Sequence, residues 1–239
     1  MSARPDAHIL AVRPFAHRGL HGPGASENGM AAFDAAIAAG HGIECDVRAS
    51  RDGVAFIFHD ADLQRMTGHP GLIGELPAAA LDRMRLPDGG AIPRLSALLA
   101  RCEGRVPILV EIKAPGRRVT GLCAAVARDL AGWPDAPIAI MSFNPHVLRY
   151  FARQRKRQLR GLVVTQQDKG AVRGRVERAL ALWLGRPDFL ACDIRDLPSP
   201  FADHARRRGL PVLSWTVRSP ADHARAARHA DQIIYEDGS

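Results

Sequence analysis

Short apolar runs of strand character alternate along the chain with alanine-rich stretches of helical period. Strands are predicted at residues 14–17, 43–47, 108–112, 138–142, 162–165, 189–193, 212–216 and 232–235. Helices are predicted at 29–39, 119–130, 145–153, 171–184, 200–208 and 220–230; in the first, Met30, Phe33, Ala36 and Ile37 share one face. Strands that alternate with helices imply a parallel sheet. Eight such strands imply an α/β fold of TIM type, a (β/α)8 barrel.

One segment breaks this rhythm. After the second strand come Arg51-Asp52-Gly53 and a further apolar run, 54–58, that ends at His59. The turn is far too short for a parallel crossover, which takes about a dozen residues. Asp-Gly between two such runs signals a hairpin. Residues 54–59 are therefore expected as an antiparallel extension of the second strand, outside the eight, with His59 roughly opposite Asp46. The glycine- and proline-rich stretch at about 60–90 reads as a small insertion before the third strand, with one helix near 77–84 lying over the barrel mouth. No linker composition divides the chain, so residues 1–239 are expected to form a single domain.

Composition narrows the function classes. The 239 residues carry a net charge of +8, almost all of it from arginine, since Lys113, Lys156 and Lys169 are the only lysines. The densest basic run, 149–160, lacks zinc-finger spacing and regular stacking aromatics. It reads as a solvated helix face, so no nucleic-acid partner is expected. No apolar run approaches bilayer length, and residues 1–12 lack the apolar core of a signal peptide; the expectation is a cytoplasmic protein with no stable membrane insertion. Cys45, Cys102, Cys123 and Cys192 are scattered, which excludes the usual zinc spacings and argues against a disulfide framework. Trp133 and Trp183 read as packing residues. The oligomeric state is not legible.

The candidate chemistry lies where barrel sites form, at the C-terminal strand ends. His17-Arg18-Gly19 ends the first strand. In the second, alternation puts Glu44 and Asp46 on one face with Cys45 opposite, and in the third it aligns Glu111 with Lys113. Charges pointing into a barrel are costly unless paired or metal-bound. Three carboxylates from adjacent strands make a hard oxygen cage suited to Mg²⁺ or Ca²⁺, with Mn²⁺ a further candidate.

These residues fall in an ordered set: Ala16-His17-Arg18-Gly19, Glu27-Asn28, Ile43-Glu44-Cys45-Asp46-Val47, Asp52-Gly53, Phe58-His59-Asp60, Glu111-Ile112-Lys113 and Trp215-Thr216-Val217. In order and spacing, from about Phe15 to the C-terminus, the set resembles the glycerophosphodiester phosphodiesterase family. The resemblance implies one divalent metal held by Glu44, Asp46 and Glu111. It implies His17 and His59 as the acid–base pair, and Arg18 and Lys113 as phosphate clamps. Glu27 and Asn28 would support the metal ligands or contact a substrate hydroxyl, and Asn28 could also cap the first helix. Trp215, joined by Phe143, would form an apolar wall for the glycerol moiety.

The implied reaction releases sn-glycerol 3-phosphate and an alcohol from a small glycerophosphodiester, through attack by the glycerol 2-hydroxyl or by water. Four positions depart from the family pattern. Gly29 stands where Thr is usual, Cys45 where Leu is common, and Arg218 where Asn is frequent, while Tyr235-Glu236-Asp237 replaces the usual Thr-Asp. The last two bear on the leaving group. Two other readings share the fold: a phosphodiesterase of lysophospholipids, favoured if Leu72, Ile73, Leu76 and Leu81 form an apolar groove, and a non-catalytic phosphate-binding barrel.

Overall fold

The computed structural model describes residues 7–154, 157–167 and 170–237; Arg155 and Lys156 of the basic run, and Lys169, lie outside them. Eight parallel strands close on themselves: β1 (Phe15–Ala16), β2 (Gly42–Ala49), β4 (Ile108–Ile112), β5 (Ile138–Ser142), β6 (Leu159–Val164), β7 (Phe189–Asp193), β8 (Val212–Val217) and β9 (Gln232–Tyr235). Closure is made by β1, in which Phe15 pairs with Gly42 on one side and with Ile234 on the other. The ninth strand, β3 (Ala55–Ile57), pairs antiparallel with β2, Val47 opposite Ile57. This is the TIM-type barrel with a hairpin after its second strand.

Alternation along the strands sorts the core into two shells. Phe15, Leu109, Met141, Val163, Phe189 and Leu213 fill the barrel interior, and Leu10, from the short turn Ala7–Leu10, packs with them. Ile43, Cys45, Val47, Val110 and Ile140 point outward beneath the helices. These are α1 (Met30–Ala38), α4 (Leu95–Cys102), α5 (Thr120–Ala131), α6 (Pro145–Gln154), α7 (Ala171–Gly185), α8 (Pro200–Arg207) and α9 (Pro220–His229). The last two begin with proline directly after Ser199 and Ser219, a residue order that presets helical φ where a free N–H would be unpaired anyway.

Three expectations need correction. Strand β6, the fifth of the barrel, begins at Leu159, three residues before the predicted 162, because Arg160 interrupts the apolar run; its guanidinium is neutralised by Asp188 at 3.0 Å. Helix α4 was not predicted. Its buried Leu95, Leu98, Leu99 and Cys102 follow an i, i+3, i+4, i+7 stripe that supplies the crossover between β2 and β4. Trp133 packs on the outer shell as expected, but Trp183 is 71% exposed and packs no core.

The insertion holds two single-turn helices, α2 (Gln64–Thr67) and α3 (Ala78–Leu81), where one was expected. It has its own small core, with Phe56, Phe58, Leu63, Ile73 and Leu81 buried together and Leu76 packed against them. Only Leu72 of the four groove candidates is exposed. The apolar side chains that would have formed a groove under the lysophospholipid reading are therefore spent on holding the insertion to the hairpin. The insertion grips the β1–α1 loop, where Ser26 N donates to Asp88 Oδ2 at 2.9 Å.

Candidate active site

The loop after β1 is shaped by four residues with positive φ: Arg18, Gly19, Gly24 and Asn28. At Gly19 a β-carbon would lie 2.9 Å from Ala32, so only glycine lets α1 approach the strand end. This turn aims the Arg18 amide at Glu44 Oε2, 3.0 Å away, and the Arg18 guanidinium at Asp46 and Glu27. Asn28 Nδ2 donates to Asp46 Oδ2 at 2.9 Å, and its Oδ1 accepts from the Asp46 amide at 3.2 Å. Asn28 is thus a clamp on Asp46. It does not cap α1, whose cap position is Gly29, without a side-chain hydrogen bond.

Glu44, Asp46 and Glu111 converge inside the barrel, with one oxygen from each within 4.8 Å of the others. Glu44 and Asp46 are fully buried and Glu111 nearly so. The Lys113 ammonium lies 2.9 Å from Asp46 Oδ1 and 2.5 Å from Glu111 Oε1. Even so, Glu44 Oε1 is a buried oxygen with no hydrogen-bond partner, and the single Lys113 ammonium serves both Asp46 Oδ1 and Glu111 Oε1. Burial, then the charges of Asp46 and Glu111, push Glu44 far above the ordinary carboxylate range. Burial likewise raises Glu111. Asp46 goes the other way: burial raises it, but Lys113 and Arg18 outweigh that and hold it ionised. Crowded carboxylates with an unsatisfied oxygen and too little positive charge fit a hard divalent cation.

The two histidines border the same cavity as Glu44 and Glu111. His17 is nearly buried, with Nε2 3.9 Å from Glu44 Oε2 and Nδ1 2.5 Å from Glu236 Oε1. His59 follows the hairpin that places Phe58 N on Asp46 O, and its Nδ1 lies 2.7 Å from Asp60 Oδ1. Burial lowers both imidazoles from the ordinary histidine value; for His17 the Glu236 hydrogen bond opposes it, for His59 the charge of Asp46 does. Both rings are therefore biased toward the neutral form.

The cavity measures about 510 Å³ and is lined by His17, Arg18, His59, Lys113, Phe143 and Trp215 among others. Phe143 stands edge-on to Trp215, ring centres 5.6 Å apart, and Trp215 is anchored by its indole N–H to Ala191 O at 2.9 Å. Arg195 and Arg218 complete the opposite rim, each tied to a carboxylate, Asp193 and Glu236. Glu27 does not line the cavity. It is held by Arg18 and by Arg65 of α2, Nη2 to Oε1 at 2.7 Å. Four participants escaped sequence reasoning: Glu236, Arg218, Arg65 and Asp193. Glu236, Arg218 and Arg65 meet partners distant in the chain, whereas Asp193 holds Arg195 two residues on; only the departures at 218 and 236 hinted at them.

A TIM-type barrel with two imidazoles, two cationic side chains and a carboxylate cage at one mouth defines a phosphodiester hydrolase. The chain belongs to the glycerophosphoryl diester phosphodiesterase family, whose model matches residues 17–237. Probable glycerophosphodiester phosphodiesterase 2 of Mycobacterium tuberculosis is 31% identical over 226 residues, spanning 86% of this chain and 79% of that protein. The glycerophosphodiester phosphodiesterase of Thermotoga maritima superposes with a TM-score of 0.73 at 26% identity, over 92% of both chains. An Oleispira antarctica phosphodiesterase, solved in complex with the product sn-glycerol-3-phosphate, shares the fold with a TM-score of 0.82 at 24% identity, over 96% of this chain and 94% of its own.

Proposed function

We propose that this enzyme hydrolyses small glycerophosphodiesters to sn-glycerol 3-phosphate and an alcohol, using His17 and His59 for proton transfer and one divalent cation. The observation that carries the reading is the meeting of both imidazoles with Glu44, Glu111, Arg18 and Lys113 around one cavity. Family membership and the product named for the Oleispira antarctica relative point to the same substrate class.

Glu44, Asp46 and Glu111 would hold the cation, whose Lewis acidity would offset charge that builds on a non-bridging phosphate oxygen. Among the candidates, Mg²⁺ and Ca²⁺ suit the all-oxygen donor set best. Arg18 and Lys113, which line the same cavity, supply fixed positive charge for the phosphate. With Nδ1 of each ring engaged, both imidazoles have Nε2 available. One accepts the proton of the attacking hydroxyl, from the glycerol 2-position or from water, as the new P–O bond forms. The other donates a proton to the alcohol oxygen as its bond to phosphorus breaks. Phe143 and Trp215 offer an apolar wall to the glycerol carbons.

Lysophospholipid cleavage is the weaker reading, since Ile73 and Leu81 are buried in the core of the insertion. The test is release of glycerol 3-phosphate from glycerophosphocholine with added Mg²⁺ or Ca²⁺, and again after chelation. Metal-dependent release, lost by at least about a hundredfold in His17→Ala, is expected. A folded, metal-loaded enzyme with no release from any glycerophosphodiester would overturn the assignment.

A further inference from the structure

Each histidine at the mouth turns its Nδ1 edge to a carboxylate, and each carboxylate is gripped from behind by an arginine. Glu236, just beyond β9, lies 2.5 Å from His17 Nδ1, and Arg218, just beyond β8, reaches the same carboxylate through Nε at 2.5 Å and Nη2 at 3.1 Å. Across the cavity Asp60 lies 2.7 Å from His59 Nδ1, and Arg65 of α2 donates through Nε to Asp60 Oδ2 at 2.6 Å. The same three-part arrangement is thus built twice, from unrelated segments of the chain.

An ionised carboxylate can only accept, so a ring facing one at Nδ1 must carry its proton there. Its Nε2 then holds the lone pair. We propose that Arg218–Glu236 and Arg65–Asp60 are matched positioning pairs that lock His17 and His59 as Nδ1–H tautomers, presenting both Nε2 atoms to the phosphodiester. The proposal rests on the hydrolytic reading above for its kinetic consequence, but not for the tautomers themselves.

The proton balance follows from this geometry. The ring acting as base takes the nucleophile's proton on Nε2 and becomes an imidazolium, whose charge lies beside its carboxylate. The ring acting as acid first takes a proton from solvent on Nε2, then passes it to the leaving alcohol and keeps the one on Nδ1, while the base ring returns its Nε2 proton to solvent. The carboxylates stay ionised throughout, in the manner of other histidine–carboxylate pairs. The arginines keep them so. Burial alone would raise Glu236, yet its hydrogen bonds to His17 and Arg218 hold it at about 2. Arg218 also fixes the carboxylate plane by gripping both oxygens. A neutral amide in place of Glu236 could turn its NH₂ toward Nδ1 and favour the wrong tautomer.

The test uses the full chain loaded with Mg²⁺ and glycerophosphocholine as substrate. Glu236→Gln should lower kcat by about 10²- to 10⁴-fold, the scale of a misassigned tautomer, while KM stays within about threefold. Arg218→Gln should lower kcat by about tenfold. Because Arg218 acts through Glu236, the double variant should be no worse than Glu236→Gln alone. Glu236→Asp, which keeps the charge, should recover part of the loss. Nitrogen-15 NMR of the imidazoles should find the proton on Nδ1 of His17 in the wild type and shifted toward Nε2 in Glu236→Gln. A Glu236→Gln enzyme with kcat within about twofold of wild type, a change confined to KM, or a wild-type His17 protonated on Nε2 would overturn the proposal. Should Glu236→Gln fail to fold, Arg218→Gln and the wild-type spectrum decide it. If the wild type cleaves no glycerophosphodiester, the reaction assignment fails while the spectrum still decides the tautomer.

Discussion

Glu44, Asp46 and Glu111 were legible from strand alternation alone, because residues two apart on a strand share a face and the face was polar where it should have been apolar. Glu236 was not, because its partner His17 lies 219 residues away and meets it only when the last strand pairs with the first. Two departures from the family pattern, Arg218 and Glu236, looked unrelated in sequence and turn out to grip each other. Asn28 shows the opposite error: a residue type suited to helix capping is used instead at positive φ to bind Asp46 from both its amide and carbonyl. The Glu236 pair also has a stability consequence. Its carboxyl sits at about 2 in the fold against an ordinary 4.5, so in that window the unfolded chain binds the extra proton and stability rises with pH. The contribution is full above 4.5 and lost as pH falls toward 2. Half-exposed Arg218 is screened by solvent, which leaves on the order of 1 kcal/mol. Denaturant unfolding of wild type and Glu236→Gln at neutral pH should differ by that amount, and the gap should close in acid. A gap independent of pH would rule out the charge as its source.

Elements were legible in proportion to how uniformly apolar they are. The strands Ile108–Ile112, Ile138–Ser142, Phe189–Asp193 and Gln232–Tyr235 match their predicted limits because each opens on or runs through an apolar stretch, with Glu111 and Asp193 falling only near the ends. Arg160 hid the start of β6, since its charge is neutralised by a partner on the neighbouring strand's approach, which no local window contains. Helix α4 had a clear periodic stripe but follows the glycine- and proline-rich insertion, whose irregularity masked its beginning. It nevertheless supplies one crossover, and its buried Leu95, Leu98 and Leu99 join the outer hydrophobic shell that includes Cys45, Val47 and Val110. Leu98 is fully buried there. Truncation to alanine is expected to cost about 2–5 kcal/mol by urea unfolding, from lost transfer energy and a residual cavity. KM and kcat per folded molecule should stay near wild type, because Leu98 packs on the helix side of the sheet and the chemistry faces inward. A selective loss of kcat would instead mean that α4 tunes the site.

For the whole molecule, barrel closure gathers groups from seven strand ends at one mouth, and the cost of doing so is concentrated in three carboxylates. Local preferences elsewhere agree with the fold, as a foldable sequence requires. At this cluster they conflict, with Glu44 forced far from its ordinary ionisation by burial beside Asp46 and Glu111. A divalent cation would resolve the conflict by binding the native state and not the unfolded chain, where the three carboxylates are scattered over residues 44 to 111. Mass action then stabilises the fold by RT ln(1 + [L]/Kd), about 2.7 kcal/mol at a hundredfold excess over Kd. An unfolding entropy of about 2.1 cal/mol/K per residue gives about 0.5 kcal/mol/K for 239 residues. The expected rise in Tm is therefore about 5 °C, greater at higher cation concentration and reversed by a chelator. Asp46→Asn removes a ligand charge but keeps an oxygen at the site, and should lose most of that rise without losing the barrel's circular dichroism. Monovalent salt at equal ionic strength should produce no comparable shift, because screening acts little on buried charges. Equal shifts in wild type and Asp46→Asn would place the stabilising cation elsewhere and leave the cluster without the ligand its chemistry calls for.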